Sequence, residues 1–343
     1  MYKFFISPHF LGGGNTKNGL FIMCLYPKLI INKRYRPTKK NNHRPPKLED
    51  ERIKYVPVPC GNCIECRKKE ANGWRIRLME EYLQDHYATF VTLTFNDESL
   101  NQLCSELGLT ECNAVATVAV RRFLERWRKK YHKSVKHWLI TELGHKGTER
   151  VHLHGVIWSQ NVEDIRTIWG YGFCYFGKFV NEKTMNYITK YITKIDKEHK
   201  GFKGKVLCSK GIGENAVKKL SYAKFDGVNT NQFYIANNGL KLGLPTYYRN
   251  KLYNEEQRQE LWINKLNEQV RFVLGQKISI KDGEDEFYKV INSAQIFNKR
   301  LGFGDDSQEW KKAPYNVRLT DIQRITRIKK EEERRKKVRE SVK

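Results

Sequence analysis

The chain has 343 residues, with 64 Lys and Arg against 38 Asp and Glu, a formal net charge of +26. This length suits one sizeable core with extensions or two modest domains, and so large a positive excess repels itself unless a polyanion neutralises it, which favours nucleic acid over an anionic membrane surface. No apolar run is long enough to span a bilayer and the opening MYKFFISPHFLGGG lacks a signal-peptide pattern, so a soluble intracellular protein is expected, and eight cysteines spread along a chain this long argue against a secreted disulfide scaffold.

Residues 1–55 mix Gly-rich, basic and Pro-containing pieces such as GGGNTKNG and RPTKKNNHRPPK, and read as loops rather than as a packed unit. Next comes PCGNCIECRKKEANGW, in which Cys60, Cys63 and Cys66 are separated by two-residue gaps. That spacing suits a turn presenting thiolates to zinc, or less readily to an iron–sulfur cluster. No fourth ligand adjoins it, so Cys24, Cys104, Cys112, Cys174 or Cys208 would have to complete the set. Reduced thiols packed in a turn are the plainer reading. From Arg67 to Tyr82 the spacing of Trp74, Leu78 and Tyr82 predicts a helix that packs on the next domain.

The pattern then becomes regular. HYATFVTLTF predicts a strand, Ala114 to Tyr131 a basic amphipathic helix, VKHWLITEL a strand, and VHLHGVIW its neighbour across the loop from Gly144 to Arg150. NVEDIRTIW predicts a helix capped by Asn161, YGFCYFGKFV a strand, and NEKTMNYITKYITKID a helix capped by Asn181. The order βαββαβα is satisfied by an α+β fold with a four-stranded antiparallel sheet backed by helices, the ferredoxin-like or split βαβ arrangement. After Lys200, GFKGKVLCSKGIGENAVKK is loop-like, and residues from Arg249 to about Val290 alternate between helical and mixed patterns. The ending DIQRITRIKKEEERRKKVRESVK is a charged helix or a frayed tail that could touch phosphates or simply be solvated. The expected division is an N-terminal extension with the Cys-rich turn and helix over 1–86, a core over 87–200, an accessory region over 201–320 and a basic tail over 321–343.

Two stretches carry the chemistry. Strand side chains alternate faces, so His152 and His154 of RVHLHGVIW emerge on the same side of an otherwise apolar run. Two imidazoles so placed could hold a metal ion; equally, one is a satisfied core histidine and the other its neighbour by chance. Glu142 ends the preceding strand, and a hairpin would bring its carboxylate near both rings, although a lone glutamate near a hairpin is ordinarily just surface. Two nitrogens and one oxygen suit Mg²⁺ or Mn²⁺ with positions left for water and a phosphate oxygen. In YITKYITK, helical geometry makes Tyr187 and Tyr191 neighbours and puts Lys190 and Lys194 on the same broad face. Ordinary packing explains such a helix as well. A phenol with pKa near 10 is a weak nucleophile that needs positioning, a nearby cation and a polarised phosphate.

At these residues the chain resembles the HUH endonuclease superfamily, in which two histidines flank a bulky residue, here Leu153, and a helix bears one or two nucleophilic tyrosines. More narrowly it resembles the replication initiators of small single-stranded DNA bacteriophages of the Microviridae, of the gokushovirus type. The likeness runs from about Val58 to Tyr253, through PCGNCIECRK, VTLTF, TELG before RVHLHGVIW, the paired tyrosines, GIG from Gly211, and LPTYYRNKLY. The resemblance implies rolling-circle initiation: one tyrosine attacks the origin phosphate, leaving a 5′-phosphotyrosine and a free 3′-OH, and the second acts when the origin is regenerated. It maps His152, His154 and Glu142 to metal ligands, Tyr187 and Tyr191 to nucleophiles, and Lys190 and Lys194 to assisting cations. Where related initiators often carry glycine before the glutamate and proline before the first histidine, this chain has Thr141 and Val151, which leaves the ligands untouched and alters the loop.

The implied partners are single-stranded origin DNA and a host helicase and DNA polymerase, in the cytoplasm of a bacterial host. Transesterification conserves the energy of the phosphodiester, so cleavage needs no nucleotide, and GxxxxGK[ST] is absent from the sequence. From another class, a non-catalytic nucleic-acid-binding protein would need only the charge and the aromatic residues. Within the class, a plasmid initiator, relaxase or transposase would use the same nuclease domain.

Overall fold

The computed structural model describes residues 24–108, 111–144, 150–177, 179–199, 201–236, 239–307 and 340. The predicted basic tail, Glu340 apart, and the Gly-rich opening lie outside these. The described chain forms two compact units, one built from residues 24–77 with 214–307 and the other from 78–213.

The first unit begins with β1 (Lys28–Ile31) paired antiparallel to β2 (Tyr55–Val58), with Lys28 opposite Val58. Leu25 and Ile53 are buried, so the described residues before 55 are not simply loops, as their composition suggests. Short 3₁₀ turns started by Asn32 and Asp50 side chains carry the polar stretches between. Helix α1 (Ile64–Tyr82) follows, and its last residues, from Leu78, belong to the second unit.

The second unit runs β3 (Thr89–Leu93), α2 (Asp97–Leu107), α3 (Cys112–Tyr131), β4 (His137–Leu143), β5 (Val151–Ile157), α4 (Val162–Trp169), β6 (Cys174–Phe176), α5 (Glu182–Thr193) and β7 (Val206–Cys208). The strands make one antiparallel sheet in the order β6-β3-β5-β4-β7, so the fold is α+β as expected, with five strands rather than four. The fifth strand comes from the stretch read as loop after Lys200. Three residues are too few to show periodicity, and Leu207 joins the sheet only through its pairing with Leu139. Helix α2 is a second departure from the expected order. Its ends obey ordinary rules: the Asn96 side chain accepts from the Ser99 N–H, and Gly108 ends it at φ +60°.

Alternation divides the sheet into two faces. Val91, Leu93, Leu139, Leu153 and Ile157 turn to one side and pack with Phe123 and Trp127 of α3 and Ile165 and Trp169 of α4 in a common core. Burying each such side chain contributes roughly 1.5–3 kcal/mol. The alternate residues, Thr92, Ile140, Glu142, His152 and His154, therefore face the opposite side. There α5 lies against β4, with Met185, Ile188 and Ile192 buried along its inner face. The Asn181 and Thr184 side chains form a reciprocal capping box at its start, as the Asn181 position predicts.

The first unit resumes with β8 (Phe233–Ile235) paired to β9 (Lys241–Gly243), α6 (Thr246–Leu252), α7 (Glu255–Asn267), the hairpin β10 (Val270–Val273) and β11 (Gln276–Ser279), and α8 (Asp285–Arg300). One of its cores gathers Tyr248, Tyr253 and Leu261, and another Leu25, Ile64, Val273, Ile278 and Ile291. Among the described residues no helix is long and apolar enough to cross a membrane.

Candidate metal and nucleophile site

The β4–β5 register places Glu142 directly opposite His152, and Ile140 opposite His154, so the carboxylate reaches both rings from one side of the ladder. Glu142 Oε2 lies 3.0 Å from His152 Nε2 and 2.8 Å from His154 Nε2. Each ring is held by its other nitrogen. His152 Nδ1 is 3.3 Å from the Arg150 carbonyl oxygen, and His154 Nδ1 is 3.0 Å from Thr92 Oγ1. A partner of this kind behind each imidazole fixes its orientation and directs Nε2 to the cluster. The ligand atoms of the three residues lie within 4.8 Å of one another.

These donors fit a divalent cation. Adjacent ligands on an octahedral ion with bonds of 2.0–2.1 Å stand about 3 Å apart, the separation found between the carboxylate oxygen and each imidazole nitrogen. Burial would raise the Glu142 carboxyl, but hydrogen bonds from His152, His154 and Lys194 outweigh it and hold the group well below the usual carboxylate range. Glu142 is thus an anion at neutral pH, the form a metal ligand needs.

Both tyrosines stand on the same side of the sheet as the histidines. The Tyr191 ring stacks on His154, with centroids 4.4 Å apart and planes 12° from parallel. The Tyr187 hydroxyl is 2.6 Å from that of Tyr191 and its ring is half exposed. Burial, the Tyr187 hydrogen bond and the Glu142 charge push the Tyr191 phenol above its ordinary value, so ionising it requires added positive charge. Lys194 pairs with the second Glu142 oxygen. It does so from just beyond α5, as the residue that caps the helix C-terminus in extended conformation, rather than from the helical face expected for it. Lys190 is exposed on α5, and among the described residues its ammonium makes no hydrogen bond or ion pair. Glu142, Tyr191, Lys194 and Asp196 line an opening at this site.

Several neighbours escape a reading by motif. Thr92, which orients His154, is legible only after β3 is paired with β5, where the two residues are opposite. Phe90 meets Tyr187 at 6.2 Å and Tyr175 at 6.4 Å, extending a row of rings along this face to the exposed Tyr175. Strand alternation groups Phe90 with Thr92, but nothing local joins them to Tyr175 on β6.

Cys60, Cys63 and Cys66 belong to the first unit, where Cys24 joins them; Cys104, Cys112, Cys174 and Cys208 lie in the second. The GIG turn from Gly211 ends the second unit, where the Gly213 N–H donates to the Glu81 carboxylate at 2.6 Å. Tyr248 of LPTYYRNKLY is fully buried on α6 and serves packing.

Comparison with known proteins bears on the same segment. Residues 88–196, which carry the whole of this site, match the family model of the replication-associated protein ORF2. The chain is also similar to the replication-associated protein ORF2 of Spiroplasma virus 4, with 28% identity over 184 residues, 46% of this chain and 55% of that protein. The chain thus spans about half the length of this curated relative. No solved structure matches. The two sequence similarities support a viral replication protein and extend no further than the segments they cover.

Proposed function

We propose that this protein is a rolling-circle replication initiator of the HUH class that nicks and rejoins single-stranded origin DNA through tyrosine. The observation that carries the reading is the convergence of Glu142, His152 and His154 with two hydrogen-bonded phenols on one face of the sheet. Its four strands β3 to β6 take the ferredoxin-like order, the last strand beside the first and the third between the first and second, which agrees with this class. Similarity to replication-associated proteins over residues 88–196 supports the same reading.

Glu142, His152 and His154 would hold Mg²⁺ or Mn²⁺, which when bound supplies Lewis-acid polarisation of a phosphate oxygen. Tyr191, stacked on His154, is the better placed first nucleophile. Its oxygen bonds to phosphorus as the bond to the 3′ oxygen breaks; the phenol gives up its proton and the departing oxygen takes one up, leaving a 5′-phosphotyrosine and a 3′-OH for a host polymerase. Tyr187, one hydrogen bond away, acts when the origin is regenerated, so that the displaced strand closes into a circle. Lys194, released from Glu142, neutralises phosphate charge, and Lys190 contacts the backbone from the exposed side. Phe90, Tyr175 and Tyr187 offer faces on which unpaired bases stack. Host helicase and polymerase in a bacterial cytoplasm complete the reaction.

The test is incubation of the purified protein with Mn²⁺ and single-stranded DNA carrying the origin, followed by denaturing electrophoresis. Cleavage with protein retained on the 5′ product is expected, and the Tyr187→Phe/Tyr191→Phe double variant should lose it by roughly 10⁴-fold or more, as nucleophile removal does in other enzymes. Undiminished cleavage by the double variant would reject the tyrosine mechanism. Tight binding with no adduct from any origin strand would favour a non-catalytic nucleic-acid-binding protein.

A further inference from the structure

The Cys60–Cys66 turn is not used by the chemistry above, and it gains a fourth thiol from a distant part of the chain. Because Lys28 opposes Val58 in the β1–β2 ladder, the residues just before β1 run beside those just after β2. Cys24 is thereby brought to Cys60, Cys63 and Cys66, and the four sulfurs all lie within 4.8 Å of one another. The Cys24–Cys63 and Cys60–Cys66 sulfur pairs are each 4.0 Å apart. Four sulfurs at about 2.3 Å from a tetrahedral centre stand roughly 3.8 Å apart, whereas a disulfide needs about 2.05 Å.

The surroundings are those of thiolates rather than of packed thiols. Cys24 Sγ accepts the backbone N–H of Cys60 at 3.2 Å and of Tyr26 at 3.4 Å, and Cys60 Sγ accepts those of Cys63 at 3.3 Å and Asn62 at 3.4 Å. The Cys60–Cys63 turn that aims these amides requires Gly61, whose φ of +79° a side chain would strain. Cys63 and Cys66 stand at the start of α1, where the helix dipole favours negative charge. Arg67, fully buried, adds a cation close to Cys60 and Cys63.

We propose that Cys24, Cys60, Cys63 and Cys66 bind one zinc ion as a closed four-thiolate site that fastens the first unit. Four sulfurs leave no open position, so the role is structural. The site ties the segment before β1 to the start of α1, and α8 closes over both: Asn298 Oδ1 accepts the Ile64 N–H at 2.8 Å, and Gln295 Nε2 donates to the Leu25 carbonyl at 2.8 Å. Such a metal contributes its binding energy to folding.

Metal analysis of the full-length protein, purified without chelator, tests this together with thiol labelling before and after chelation. About one zinc per chain is expected, with four thiols becoming reactive only as zinc leaves. Cys24→Ser should weaken zinc binding by at least the roughly 100-fold that loss of even an outer-shell partner can cost, and Cys104→Ser should not change it. Where Cys24→Ser fails to fold, the wild-type measurement still decides. A chain that holds no zinc after refolding with a zinc salt, thiols that resist labelling through disulfides rather than metal, or a Cys24→Ser protein that keeps zinc as tightly as wild type would overturn the proposal.

Discussion

The two donor clusters sit in different units and are built in opposite ways. Glu142, His152 and His154 are three donors of two chemical kinds, set on neighbouring strands by register, with a stacked phenol and an ammonium beside them. Cys24, Cys60, Cys63 and Cys66 are four donors of one kind from two chain segments, surrounded by backbone N–H groups and apolar core. A three-donor set on a sheet face leaves coordination positions for a substrate, whereas four sulfurs use them all. The same element of design, side chains preset by an antiparallel ladder, thus serves exchange in one unit and closure in the other.

That contrast predicts effects that separate. His152→Ala or His154→Ala removes one of three donors; cleavage in Mn²⁺ is expected to fall at least about 100-fold, with zinc content unchanged by metal analysis. A parallel loss of zinc would break the division between the clusters. Next in size is Gly155→Ala. A Cβ at this position would lie 2.0 Å from the Trp138 carbonyl oxygen and 2.9 Å from Leu139 Cα, backbone atoms of the paired strand. Separating β4 from β5 should cost about 1–3 kcal/mol of stability in urea unfolding and reduce cleavage by parting Glu142 from His152, while the thiol site keeps its metal. The smallest expected effect is that of Thr92→Val, which deletes the hydroxyl behind His154 Nδ1 and leaves the ligand in place. The Mn²⁺ concentration needed for half-maximal cleavage should rise about tenfold. An unchanged requirement would show that His154 is held by the Tyr191 ring alone.

The part of the second unit that carries chemistry was legible because its signals are local. Alternation set His152 and His154 on one face, a hairpin brought Glu142 to them, and Asn161 and Asn181 cap α4 and α5 where their position indicates. What escaped depends on pairing at a distance or on short segments. Strand β7 has three residues in a Gly- and Lys-rich stretch and exists because β4 offers it an edge. Helix α2 did carry its signals, Asn96 and Gly108, but only a few of its residues are buried. Five cysteines competed as a fourth thiol, and spacing cannot choose among them; the β1–β2 register does. Residues 24–77 and 214–307 likewise form one unit across an intervening one, which no linear change of composition marks.

The central claim is that a phenol beside the Glu142–His152–His154 cluster takes the DNA strand. Peptide mapping of the protein–DNA adduct by mass spectrometry tests it most directly, after cleavage of an origin strand in Mn²⁺ and digestion of both polymers. A nucleotide phosphate on Tyr191, with Tyr187 modified when Tyr191 is replaced by Phe, is the predicted result. Modification of a residue in the first unit, or a cleaved strand with no tyrosine modified, would contradict it.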